Sequence, residues 1–227
     1  MLNSCGDYCR GRNMIKPEQT TVIICAAGMG TRLGIGTTKA LVDIDGTPLI
    51  LRQLELLKEF DDIRIVVGFQ AERLIHTVKE YRKDIMFVFN YEYETTGVAD
   101  SLRKGMIAAR EYILSLDGDI LVNPNDFSLF LSGDAEILGV SEIKTAEPVR
   151  ATVVDNAVTY LSKTEGNMQW PGIVRIKADK LRSSSSHVYD VLNQILPLPA
   201  FTVRTREIDT QEDYEQAICW FEKGQVD

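Results

Sequence analysis

Between residues 21 and 116 short β-branched runs alternate with segments of helical period, and this alternation restricts the fold more than any other feature of the chain. Residues 21–27 form an apolar run that ends in glycines, the mark of a fully buried strand. Ile50, Leu54, Leu57 and Phe60 recur at helical spacing after Thr47-Pro48. Residues 63–67 read as a strand, 71–81 as a helix, 85–89 as a strand, 100–110 as a helix and 112–116 as a strand. Short connections between such units predict a mostly parallel sheet covered by helices on both faces.

The second half changes character. Residues 135–143, 149–156, 158–162 and 173–177 are strand-like with few helices between them, which predicts a small antiparallel section beside the parallel sheet. Residues 183–186 are a polar loop, 187–196 a helix stopped by Pro197, and 201–208 an alternating strand. Thr210 then caps a last helix with Tyr214, Ala217, Ile218 and Phe221 on one face. Residues 1–20 are polar, carry Gly6, Gly11 and Pro17, and show no period, so they are expected to be a flexible tail before a single domain spanning 21–227. Cys5 and Cys9 in that tail have no companion at zinc-site spacing and read as incidental thiols.

Charge and length exclude several classes. The 25 basic and 33 acidic side chains leave a net charge of −8, a poor match for gripping nucleic acid. No apolar run reaches the roughly 18 residues needed to span a bilayer. The N-terminus lacks the basic start and apolar stretch of a signal peptide, so a cytoplasmic location is expected. Four cysteines in 227 residues are too few for a disulfide scaffold.

The sharpest local signal follows the first strand: Ala26-Ala27-Gly28-Met29-Gly30-Thr31-Arg32-Leu33-Gly34. Glycines there let backbone N–H groups approach an anion. The dinucleotide pattern G-x-G-x-x-G fails because residue 33 is Leu. The pattern G-x-x-x-x-G-K-[ST] fails because Leu33 and Gly34 stand where Gly and Lys are required. What remains is G-x-G-T-R-L followed by Lys39-Ala40-Leu41. Arg32 offers a planar fork of donors to phosphate oxygens, and Lys39 a point charge.

These residues resemble the signature of the nucleotidyltransferases that make nucleoside-diphosphate sugars and alcohols, and within them the small phosphocholine cytidylyltransferase-like branch. One departure is Thr38, where the family usually has proline. The resemblance implies a Rossmann-like three-layer α/β sandwich with a mostly parallel mixed sheet and a small antiparallel insertion. It implies catalytic roles for Arg32 and Lys39, with nucleotide bound by Ala26, Ala27, Gly28, Met29, Gly30 and Thr31.

Asp117-Gly118-Asp119 ends a strand at the sheet edge where open α/β sheets bind ligands. A plain Asp-Gly turn accounts for the same residues equally well. Glu207 and Asp209, two apart, point the same way on a strand, although Asp209 also suits a helix cap. The resemblance implies that Asp119, Asp209 and Glu207 hold Mg²⁺. It places base reading in residues 93–102, at Gly97 and Ser101, though Ser101 serves equally as a helix-start residue. Arg150, Lys163 and Trp170 are candidate acceptor contacts, against a surface lysine and a core tryptophan. Arg150 stands near the position of a cage tryptophan in choline enzymes, which favours an anionic feature over choline. His76 and His187 read as ordinary helix residues.

The expected reaction is CMP transfer from CTP to a small phosphate or phosphonate acceptor, with pyrophosphate released. The acceptor classes are phosphocholine-like, aminoethylphosphonate-like or a phosphorylated amino acid. The alternatives are a sugar-1-phosphate uridylyl- or thymidylyltransferase and, from another class, a nucleotide-binding regulatory module. The resemblance leaves a homodimer open.

Overall fold

The computed structural model describes residues 15–34, 36–181, 185 and 187–226. Its strands are β1 (Thr20–Ala26), β2 (Asp43–Ile44), β3 (Thr47–Pro48), β4 (Ile63–Val67), β5 (Met86–Phe89), β6 (Tyr112–Asp117) and β7 (Ile120–Val122) in the first half. The second half adds β8 (Ile137–Val140), β9 (Arg150–Val154), β10 (Ala157–Ser162), β11 (Met168–Gln169), β12 (Val174–Lys177), β13 (Leu198–Thr202) and β14 (Thr205–Glu207). The helices are α1 (Leu49–Leu56), α2 (Ala71–Tyr81), α3 (Val98–Gly105), α4 (Pro124–Leu131), α5 (Val188–Asn193) and α6 (Gln211–Glu222).

Ten strands form one mixed sheet in the order β11-β9-β10-β13-β8-β12-β6-β1-β4-β5. The run β6-β1-β4-β5 is parallel throughout. β12 enters antiparallel between β6 and β8, β13 lies parallel to β8, and β10, β9 and β11 extend an antiparallel wing. Two two-stranded pairs, β14-β7 and β2-β3, stand apart from it.

The side chains of β1 show why the sheet is covered on both faces. Val22, Ile24 and Ala26 join one apolar cluster with Ile50 and Leu54 of α1, Leu74 and Val78 of α2, and Phe127 and Phe130 of α4. Ile23 and Ala27 point the other way, into a cluster with Ala99 and Leu102 of α3 and Val188, Val191 and Leu192 of α5. The period-two alternation of a strand thus sorts one run into two cores. Each fully buried Ile or Leu contributes about 1.5–3 kcal/mol. A third cluster joins Leu33, Val42, Ile44, Leu49, Leu121, Ile208, Ala217 and Trp220, pinning α6 and the glycine loop to the same corner.

Several expectations change in detail. Residues 201–208 are not one strand: β13 ends at Thr202 in the large sheet and β14 pairs with β7 in another. Between them the Arg204 backbone N–H turns away to donate to Asp126 at 3.0 Å. Helix α4 was not foreseen; Asn123 caps it, its side chain accepting from the N–H groups of Asn125 and Asp126, with Pro124 in the first turn. Two expected helices close early, that over 100–110 at Gly105 (α3) and that over 187–196 at Asn193 (α5). At the other end, Pro17–Gln19 form a 3-10 turn and Thr20 already pairs with Tyr112. The tail positions 1–14, with Cys5 and Cys9, and Ser183, Ser184 and Ser186 of the polar loop lie outside the described residues. Among the described residues no helix is long and apolar enough to cross a membrane.

Candidate active site

A cavity of about 460 Å³ opens at the carboxyl ends of β1 and β6. The glycine loop forms one side through Gly28, Gly30, Thr31 and Arg32, and Lys39 projects from a 3-10 turn directly after it. Gly30 adopts φ +60°, and a Cβ there would stand 2.9 Å from Cγ of Lys39. Glycine at 30 therefore serves both the left-handed turn and the passage of the lysine stem.

The acids converge from two directions. Asp117 and Asp119 come from the turn joining β6 to β7, and Glu207 and Asp209 from the end of β14 before α6. The Ile208 N–H donates to the Asp119 carbonyl at 2.9 Å, tying the two acid-bearing segments together. As a result carboxylate oxygens of Asp119, Glu207 and Asp209 lie within 4.8 Å of one another. Asp209 does not cap α6; Thr210 does, its hydroxyl accepting from the Asp213 N–H at 3.2 Å. That leaves the Asp209 carboxylate for the cavity.

Two cations answer this charge. Lys39 Nζ donates to Asp119 Oδ2 at 2.8 Å and also to Asp209 Oδ1. Arg32 bridges Asp209 Oδ2 at 2.9 Å and Glu147 Oε2 at 2.8 Å. Burial alone would lower the Lys39 pKa, but Asp119 and Asp209 outweigh it and hold the ammonium well above its ordinary range. Burial, and then Asp119 and Asp209, push Glu207 up to about 8. Burial, followed by the Asp119 and Glu207 charges, raises Asp117 well above the carboxylate range. Asp117 has room because Gly172, at φ +82°, lies against it; a Cβ there would collide with its carboxylate. A cluster of acids that resists full ionisation is a place where further positive charge is favourable.

All the residues expected to handle phosphate and metal reach one place: Arg32, Lys39, Asp119, Glu207 and Asp209 line the cavity with Ala26, Gly28, Gly30 and Thr31. Ala27 and Met29 do not line it; Ala27 is buried in the core and Met29 is 37% exposed. Ser101 is buried, its Oγ accepting from Asn90 Nδ2 at 3.1 Å, and Gly97 is the N-cap of α3 while its neighbour Val98 takes the cavity wall. Of the acceptor candidates, Lys163 and Trp170 line the cavity, and Trp170 Nε1 donates to the Ile173 carbonyl at 3.0 Å. Arg150 does not; its segment presents Glu147 and Val149 instead. Sequence reasoning missed Glu147, whose contact with Arg32 joins positions 115 apart. It also set aside His187, which lines the cavity with its ring stacked on Tyr189 at 5.1 Å.

Hard carboxylate oxygens drawn together from two strand ends, beside glycines and a lysine, give an α/β domain a donor set that suits an oxygen-liganded cation next to groups that suit phosphate. The chain belongs to the MobA-like NTP transferase family, whose description matches residues 22–151. It is 30% identical over 138 residues to the bifunctional protein GlmU of Aliarcobacter butzleri, covering 60% of this chain and 32% of that protein. It is 43% identical over 76 residues to the choline-phosphate cytidylyltransferase of Streptococcus pneumoniae, covering 31% of this chain and 32% of the other. The sequence match thus spans about a third of the length of each of these relatives. Its fold matches the inositol-1-phosphate CTP transferase of T. maritima with a TM-score of 0.74 at 20% identity, over 91% of this chain and 97% of that one. The CTP:phosphocholine cytidylyltransferase of S. pneumoniae matches with a TM-score of 0.73 at 20% identity, over 89% and 99%. A putative glucose-1-phosphate thymidylyltransferase from Bacillus anthracis gives a TM-score of 0.73 at 15% identity, over 88% and 94%.

Proposed function

We propose that the chain is a divalent-metal-dependent nucleotidyltransferase that moves CMP from CTP to a small phosphate or phosphonate acceptor and releases pyrophosphate. The observation that carries nucleotidyl transfer is the meeting of Asp119, Glu207 and Asp209 with Lys39 and Arg32 in one cavity at the sheet edge; the choice of CTP is supported by the likeness to the choline-phosphate cytidylyltransferase. An all-oxygen donor set of this spacing fits Mg²⁺ or Mn²⁺, held by Asp119 and Asp209 with Glu207 beside them. A bound cation there would supply Lewis-acid neutralisation of phosphate charge.

The rest is work for the chain's own groups. The acceptor phosphate has a second pKa of about 6, so it is already largely dianionic at neutral pH and needs no general base. An acceptor oxygen forms a bond to the α-phosphorus while the bond to the pyrophosphate oxygen breaks. Gly28 and Gly30 bring the backbone close to the triphosphate. Arg32 and Lys39 exchange their carboxylate partners for phosphate oxygens and offset the charge on the leaving group. Glu147, Lys163, Tyr189 and Trp170 also line the cavity, Glu147 in contact with Arg32, and would meet the acceptor.

A second reading, UMP or TMP transfer to a sugar 1-phosphate, is supported by the fold likeness to a putative glucose-1-phosphate thymidylyltransferase. Pyrophosphate release with Mg²⁺ separates the two. Each of CTP, UTP, GTP and ATP is tried against phosphocholine, 2-aminoethylphosphonate, sugar 1-phosphates, inositol phosphate and a phosphorylated amino acid. Turnover confined to CTP and a small phosphate or phosphonate supports the proposal. Turnover only with UTP or TTP and a sugar phosphate replaces it with the second reading. Nucleotide binding without turnover against any acceptor points to a regulatory module.

A further inference from the structure

Behind the acidic turn lies a buried amide that the reaction itself does not use. Gln53, on the inner face of α1, is 1% exposed. Its Nε2 donates to the Asp117 carbonyl at 2.9 Å and to the Ile120 carbonyl at 2.9 Å. The two carbonyls flank the Gly118-Asp119 tip, so one side-chain amide spans the base of the turn that presents Asp119. Gln53 Oε1 is buried and has no hydrogen-bond partner among the described residues. A core position that needed only volume would hold a leucine or methionine, and an amide with a wasted acceptor is costly there. What the side chain adds over an apolar one is its two donated hydrogen bonds. The same turn is held from its other sides by the Gly118 N–H donating to the Cys25 carbonyl at 2.9 Å and by the Ile208 N–H on Asp119. The first contact anchors it to β1, the second to the segment bearing Glu207 and Asp209, and Gln53 anchors it to α1.

We infer that Gln53 is a positioning residue for the metal-binding carboxylates, fixing the height of Asp119 against Asp209 by clamping both carbonyls at the base of the turn. The inference rests on the proposed reading of Asp119, Glu207 and Asp209 as cation ligands. Without the clamp the Asp117 and Ile120 carbonyls each lose a donor, the turn relaxes, and Asp119 no longer meets Asp209 at one ion. Outer partners that orient metal ligands carry an effect on the order of tenfold or more in affinity.

The test is direct binding of Mn²⁺, followed by calorimetry and by electron paramagnetic resonance of the free ion, so it does not depend on knowing the acceptor. Wild type is compared with Gln53→Met, which keeps the volume and removes the donors, and with Gln53→Asn, which keeps the amide but shortens its reach. Circular dichroism and the melting temperature report folding of each. Binding of Mn²⁺ to wild type with about tenfold weaker binding to a folded variant is expected. Turnover, once the acceptor is known, should show a raised Mn²⁺ requirement with little change in nucleotide KM. Should Gln53→Met not fold, Gln53→Asn carries the same test. Wild-type affinity in a folded variant would overturn the clamp and leave the carboxylate site intact. No saturable Mn²⁺ binding by wild type would overturn the site itself, and the clamp with it.

Discussion

The parallel half of the sheet and its antiparallel wing meet the same cavity in different ways. In the parallel run β6-β1-β4-β5 all carboxyl ends face one way, so the loops after β1 and β6 lie side by side. The glycine loop, Lys39 and the Asp117-Gly118-Asp119 turn converge there from sequence-distant segments. The wing, built of β9, β10 and β11, has no shared direction, and among the described residues it and its loops give the cavity only Glu147, Val149, Lys163 and Trp170. Charge is paired and partly buried on the first side: Lys39 and Asp209 are 15% and 13% exposed as side chains. On the second side Glu147 is 74% exposed. The first arrangement suits chemistry common to many nucleotides, and the second suits a choice of acceptor that changes with a few loop residues.

That contrast is broken first at Asp119. Asp119→Ala should lower turnover by about 10³-fold, with the circular dichroism spectrum of wild type, because the carboxylate faces the cavity and not a core. Activity within tenfold of wild type would remove Asp119 from the chemistry. Next, Lys39→Met should lower kcat/KM for the nucleotide by about 10²-fold; an unchanged value would mean that Lys39 serves only to neutralise the acids. On the wing, Glu147→Gln should change acceptor KM by about fivefold, for about 1 kcal/mol of an exposed contact, and nucleotide KM by less, because Arg32 gives up Glu147 when it takes phosphate. An equal change in nucleotide KM would erase the division of labour between the two sides.

The smallest effect lies away from both. Asp126 accepts from Arg204 Nε at 2.7 Å and Nη2 at 2.9 Å, and these bonds hold its carboxyl below the usual range. A depressed carboxyl stabilises the fold above the unfolded pKa of about 3.9, and the contribution is lost as pH falls through the folded value. Asp126→Asn should therefore cost about 1 kcal/mol at pH 7, on the order of 2–4 °C in Tm. The gap should narrow below about pH 4. A gap that stays constant or widens with acid would show that the pair does not contribute through its charge.

How far the sequence discloses this molecule follows the same contrast. Strand β1, the glycine loop and the strand–helix alternation were legible because their signals are local: β-branched runs, a period of 3.6, glycine at a turn. The two acidic segments were legible as strand ends, and the fold then brought them within ion-binding reach of each other. Helix α4 was missed because its eight residues bury only Phe127 and Phe130, too short a pattern to separate from a loop. Its legible sign was Asn123-Pro124, a cap followed by a proline in the first turn. The break between β13 and β14 was hidden because the alternation runs on through it while the strands join different sheets. Glu147 and Gln53 were beyond sequence reasoning for one cause. Their partners lie 115 and 64 or 67 positions away, and only the closed sheet shows that they meet.

The central claim is that Asp119 and Asp209 hold a cation on a nucleoside triphosphate while Lys39 leaves them for phosphate. A crystal structure with CTP and Mn²⁺, read by the anomalous signal of the metal, tests it most directly. The account predicts a metal peak in contact with Asp119 and Asp209, triphosphate over Gly28 and Gly30, and Lys39 Nζ on a phosphate oxygen. A metal held elsewhere, with Lys39 still bridging Asp119 and Asp209 beneath a bound nucleotide, would contradict it.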